Sequence, residues 1–169
     1  MCPAILLIAF IFVLNTAAGE KILPVEDFEA ETFAQRWNFS NGAEFPGAKG
    51  AFERHADAAH GGKFGGKLSF DFNGGGHYVA AYRKLDNAPH ISAVRLWVKN
   101  PTGNRLTFRY EDQSGQTLQK SFSSGPLKEW TEIEIETYGF SGNWGGKNDG
   151  VVNGPPVQIG FIVNNDGRR

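Results

Sequence analysis

The chain is predicted to be all-β, an antiparallel β-sandwich of about nine short strands in a jelly-roll arrangement. Three observations predict it. Apolar side chains recur at every second position in several short segments, the period of a half-buried strand. Clusters of Gly, Pro, Asn and Asp punctuate the chain about every 8–12 residues, as hairpin turns do. Glycine at 22 residues and aromatics at 13% accompany a single methionine, and no long segment carries a helical period.

The first stretch, MCPAILLIAFIFVLNTAAGE, is expected to lie outside this fold. It has an apolar run from Ala4 to Leu14, then small residues, and no charge before Glu20. Such a pattern is the centre and cleavage zone of a secretory signal peptide, here residues 1–19, with the cut expected near Ala18 or Gly19. The usual opening positive charge is missing. An uncleaved anchor is the alternative, although the run is shorter than the ~20 residues a spanning helix needs. Cys2 would leave with the signal, so residues 20–169 have no cysteine and must rely on a core or a metal in a secreted or periplasmic setting. A net charge of -1 offers no basic footprint for nucleic acid and no polybasic patch for a membrane. The remaining stretch of about 150 residues suits one monomeric domain.

The strands follow in order. LPVEDFE comes first, with Leu23 and Pro24 leading in and Val25 to Glu29 as the strand proper; Ala30 to Trp37 has room for a short helical turn. Next are GAFERHA around Phe52, GKLSFDFN, HYVAAYRKL and AVRLWVKN. RLTFRYED, TLQKSF, WTEIEIE and VQIGFIVNN complete the set. Four inward rows stand out: Leu68, Phe70 and Phe72; Val94, Leu96 and Val98; Leu106, Phe108 and Tyr110; and Val157, Ile159, Phe161 and Val163. NGGGH, NPTGN and EDQSGQT supply the turns.

These segments resemble the jelly-roll carbohydrate-binding modules, galactose-binding-like domains found at the front of secreted bacterial glycoside hydrolases. The likeness rests on LPVEDFEAETFAQRWNFSNGAEFPGAKGAFE, on GGKLSFDFNGGGHYVAAYRKL, and on RLWVKN and EWTEIEIE, and it spans about Leu23 to Asp166. It implies sugar binding without catalysis and one structural calcium. Carried over by position, Asp27 and Glu29 would join Asp166 around that calcium, with backbone carbonyls near Gly62 to Gly66 completing an all-oxygen shell. A glycoside hydrolase, fused or separate, would be the partner.

The outward rows carry the candidate glycan site. Trp97 stands between Arg95 and Lys99, Arg109 and Glu111 lie on the next strand, and Gln119 on the one after; Tyr78 and Tyr82 share a face. Aromatic planes stack on the C–H faces of sugar rings, while arginine, glutamate and glutamine bind hydroxyls. The other reading makes Trp97 core. The loop NWGGKNDG is neither a phosphate cradle, since the prolines of VVNGPP preclude a following helix, nor an EF-hand, whose ligand spacing it lacks. It either presents Trp144 at the sheet edge, with Asn148 and Asp149 offering hydrogen bonds, or buries Trp144 as an end plug held by Asx turns. The arginines tilt the expected ligand toward uronates or sulfated sugars. Trp37 and Trp130 read as structural. The four histidines show no metal-ligand spacing, and no nucleophile–base motif appears. A polysaccharide lyase or hydrolase, and a structural or adhesion domain without sugar binding, are the remaining functional readings.

Overall fold

The computed structural model describes residues 4–15 and 21–168. Among the described residues, twelve strands form two six-stranded sheets, and every pairing is antiparallel. The first sheet contains β1 (Ala4–Asn15), β2 (Lys21–Glu26), β4 (Lys49–His55), β5 (Gly65–Asp71), β7 (Ala93–Asn100) and β10 (Leu127–Glu136). Its order is β10-β7-β1-β5-β4, with β2 also on β1. The second contains β3 (Trp37–Ser40), β6 (Tyr78–Lys84), β8 (Leu106–Asp112), β9 (Thr117–Ser123), β11 (Gly142–Trp144) and β12 (Pro156–Asn164). Its order is β11-β9-β8-β12-β6-β3. A four-residue helix, α1 (Phe33–Arg36), sits where a helical turn was expected.

The strand count exceeds the expected nine by β1, β3 and β11. The last two are too short to show a period. β1 is the run set aside as a signal peptide. Here it is seated between β5 and β7, with Leu6, Ile8 and Ala9 fully buried. The expected cut near Ala18 or Gly19, and Cys2, lie outside the described residues.

The predicted rows build the core between the sheets. Leu68, Val94, Leu96, Val98, Leu106, Phe108, Tyr110, Ile159, Phe161 and Val163 are all fully buried. Each such side chain contributes roughly 1.5–3 kcal/mol relative to exposure. Val157, the first of its row, is instead 38% exposed at the mouth of β12.

The first expected strand stops early, at Glu26 rather than Glu29. Phe28 has φ 63°, a left-handed conformation that a bulky residue adopts only when its surroundings hold it there. Its fully buried ring lies 5.8 Å from Trp37, 6.0 Å from Phe33 and 6.4 Å from Phe52. Its N–H donates to Glu26 Oε1, and its carbonyl accepts from Arg54 Nε. Gly66 keeps the pocket open, since a Cβ there would come within 2.8 Å of both the Phe52 and Phe28 rings.

Candidate functional site

Alternation exposes the outer face of the second sheet. β6 turns Tyr78 and Tyr82 outward, β8 turns Arg109 and Glu111, β9 turns Gln119, and β12 turns Gln158 and Gly160. Gly160 is opposite both Tyr82 and Arg109 in register. A Cβ at 160 would stand 2.5 Å from the Tyr82 ring. Without one, the ring has room beside Gly160, and its hydroxyl accepts from Arg109 Nη1 at 2.5 Å.

Arg109 is the centre of this face. Its Nε donates to Gln119 Oε1 at 3.2 Å, and its guanidinium carbon lies 4.6 Å from the Tyr78 ring centre and 5.1 Å from that of Trp144. Cation–π contact at these distances holds the rings and the cation in one block. Burial pulls the Arg109 pKa down, but the Tyr82 and Tyr78 phenols outweigh it and leave the group above its ordinary value.

Above the block is an open cavity of about 250 Å³, lined chiefly by Glu44, Tyr78, Tyr82, Arg109, Glu111 and Trp144. The Tyr78 hydroxyl donates to Glu44 Oε1 at 2.5 Å. That bond holds the Glu44 carboxyl below its usual range. Burial, and then Glu44, push the Tyr78 phenol up. Glu111 accepts from Gln158 Nε2 at 3.2 Å. Tyr78 is buried and serves as a wall, whereas Trp144 is 42% exposed and offers a free face.

The loop after β11 explains that exposure. Trp144 ends β11, paired with Thr117 of β9, while Gln116 behind it is wholly buried. Gln116 Nε2 donates to Asp149 Oδ1 and to the Val151 carbonyl, and its Oε1 accepts from Gly150 N. Asp149 also accepts from Val151 N in an Asx turn and from Asn153 Nδ2. Asn148, at φ 51°, accepts from Asn143 Nδ2. Both sequence readings of the loop are thus partly realised. The indole is presented at the sheet edge, and Asn148 and Asp149 stiffen the loop behind it without lining the cavity.

Arg95 and Trp97 are not on this face. Both belong to β7 in the first sheet and point away from the core that Val94, Leu96 and Val98 fill. Half-buried Trp97 packs at 4.3 Å against His60, which also lies 5.1 Å from Trp130. Arg95 forms a 2.7 Å ion pair with Glu134 on β10. Of the predicted ligand residues, then, Tyr78, Tyr82, Arg109, Glu111 and Trp144 come together with Gln119 at their edge. Arg95 and Trp97 are on the opposite surface.

Sequence reasoning missed Glu44, Gln158, Gly160 and Gln116. Gln158 and Gly160 were legible as the outward partners of Ile159 and Phe161. Glu44 sits in a loop and reaches Tyr78 across 34 residues, which no local pattern marks.

The three expected calcium ligands are engaged with N–H donors. Asp27 Oδ1 accepts from Glu29 N, and Glu29 Oε1 accepts from the backbone N–H groups of Lys63 and Phe64. Asp166 bonds Arg105 N and Asn104 Nδ2. Among the described residues, no group of three or more His, Cys, Asp or Glu is placed to hold a metal. Nor is any helix among them long and apolar enough to cross a membrane.

No protein-family model, curated protein or solved structure matches the chain.

Proposed function

We propose that the protein is a non-catalytic carbohydrate-binding domain, a polysaccharide-targeting module of a secreted glycan-degrading system. The observation that carries this reading is the open cavity on the second sheet, where the exposed Trp144 face stands over fixed polar groups from Arg109, Glu111, Glu44 and Gln158. A sugar ring stacks its C–H face on the indole, and its hydroxyls meet donors and acceptors already held in place. At about 250 Å³ the cavity is below the ~300–1,000 Å³ of sites that enclose a drug-sized ligand, which suits one ring of a chain running past it.

Affinity electrophoresis through gels containing soluble neutral and acidic polysaccharides tests the reading. Retardation by at least one glycan is expected, with Trp144→Ala weakening it about tenfold or more, a loss of roughly 1.4 kcal/mol. Release of reducing ends or unsaturated products would favour the enzymatic reading. Absence of retardation across the panel would favour a structural domain.

A further inference from the structure

The position of β1 in the first sheet is hard to reconcile with its composition, and the conflict points to an interaction surface. Residues 4–8 pair with Phe70 to Gly66 of β5 on one side, and residues 11–15 continue that side against β2. Residues 7–14 pair with β7 on the other side. All three neighbours are antiparallel to it. The segment AILLIAFIFVLN carries no charged residue, and Leu6, Leu7, Ile8 and Ala9 are all buried. Yet the same residues, followed by TAAGE, form the pattern that a signal peptidase removes.

Taking β1 away would leave β5 and β7 facing one another across roughly 9–10 Å, twice the strand spacing and too far to hydrogen-bond. Both inner edges would bare their N–H and C=O groups beside an apolar core opened at Leu68, Leu96 and Val98. β4 and β5 would lose their connection to β7 and β10 within the sheet. An interior gap with two open edges is a template for strand addition, in which backbone pairing supplies affinity and alternate side-chain pockets supply specificity.

We propose that the gap between β5 and β7 is a strand-acceptor site. In a chain cut after Ala18 or Gly19 it takes up an uncharged, apolar extended segment from a partner polypeptide, laid antiparallel to both neighbours as Ala4–Asn15 is here. The partner's chemistry follows from the present occupant. It is 12 residues long, without charge, and bulky and apolar at the two positions that match Leu6 and Ile8, whose side chains enter the core. This surface is independent of the sugar-binding cavity, which lies on the other sheet.

The test uses the full chain with a protease site placed within residues 16–20. After cutting, the freed strand is competed with excess fluorescent peptide of sequence Ala4 to Asn15 bearing a solubilising lysine tail. Fluorescence polarisation and thermal melting are followed together. Uptake of one peptide per chain is expected, with retention of the melting transition. A peptide carrying Leu6→Asp and Ile8→Asp is expected to bind at least a hundredfold more weakly. The proposal is overturned by equal uptake of the two peptides or by no uptake at all. It is also overturned if the stripped remainder keeps the same melting transition unaided, since the sheet would then close by itself. Dimerisation of the remainder in place of peptide uptake would overturn it in favour of a second copy as occupant.

Discussion

On the second sheet, the solvent face between Tyr78 and Gln158 is built from aromatic and polar side chains at every second position. The first sheet is centred on a strand that has no charged residue at all. Each arrangement follows from burial. A strand with one wet face alternates, whereas β1, seated between β5 and β7, shows no alternation and reads as a continuous apolar run. The alternating strands announce themselves as strands. A continuous run is equally compatible with a buried strand and with the centre of a secretory signal. The contrast between β1 and the alternating strands is therefore a contrast between two grades of legibility, and it predicts where substitutions do most harm.

The largest effect is expected at the centre of the first sheet. Ile8→Asp would place an unpaired carboxylate in the interior, at a cost of about 4 kcal/mol or more. For a chain of this size that corresponds to a fall in melting temperature of about 10 °C or more. Differential scanning calorimetry of the full chain checks it. An unchanged transition would mean that β1 takes no part in the folded protein, and the comparison between the sheets would then need a different central strand.

Next in size is Glu26→Ala. Glu26 ends β2 on the first sheet and reaches two residues of the second. Its carboxylate accepts from Trp37 Nε1 at 2.9 Å and lies 3.3 Å from Arg36 Nη2 and 3.4 Å from Arg83 Nε. Removing the shared anion leaves two guanidinium groups facing one another, one of them nearly buried. Breaking a buried pair in this way costs about 3–5 kcal/mol. Chemical denaturation should show the midpoint falling with an unchanged slope. A slope that falls as well would mean that the sheets had come apart in the native state.

How much was visible beforehand differs between β1 and the alternating strands of both sheets for the same reason. The inward rows at 68 and 70, 94 to 98 and 106 to 110 were read correctly because each belongs to a strand with one wet face. The error over Arg95 and Trp97 came from treating successive strands as sheet neighbours. β7 and β8 are consecutive in sequence yet belong to opposite sheets, since sandwich connections cross over, so an outward tryptophan on one cannot join an outward arginine on the other. Tyr78, Tyr82, Arg109 and Glu111 were grouped correctly because β6, β12 and β8 lie side by side. Glu44 and Gln116 were invisible, because each acquires its role from a long-range contact that leaves no periodic trace.

A smaller, more selective effect is expected at Gly160. Gly160→Ala puts a methyl 2.5 Å from the Tyr82 ring, which must swing off the sheet toward solvent and release Arg109. Stability should fall by about 1 kcal/mol, while glycan retardation should weaken by tenfold or more. Trp144→Ala should show the same loss of binding with a change in stability within about 0.5 kcal/mol, because the indole is exposed and its removal opens no cavity. Equal losses of stability and binding in both variants would indicate that the block around Arg109 is structural and not a binding surface.

The gentlest separation of the two sheets comes from pH. Burial pushes the Asp112 carboxyl up, but hydrogen bonds from the Ser114 hydroxyl and N–H, the Asn153 N–H and Gln116 outweigh it and hold the group below the usual range. Asp149 is lowered as well, first by the Val151 N–H and then by Gln116 and Asn153. A carboxyl depressed in the folded state contributes its full stabilisation above the ordinary aspartate value of about 3.9 and loses it as pH falls through the lower folded value. Both acids brace the loop that carries Trp144, whereas β1 has no titratable side chain. On acidification toward pH 2, the loss of these two charges should therefore loosen the loop while leaving the pairing of β1 in place. Tryptophan fluorescence of the full chain, with Trp144→Phe as the reference, should report a change confined to Trp144 while far-ultraviolet circular dichroism still shows intact strands. In Asp112→Asn the low-pH step should be diminished and the loop already loosened at pH 7. A single acid transition shared by the fluorescence and the dichroism would show instead that the loop and the sheets unfold as one unit.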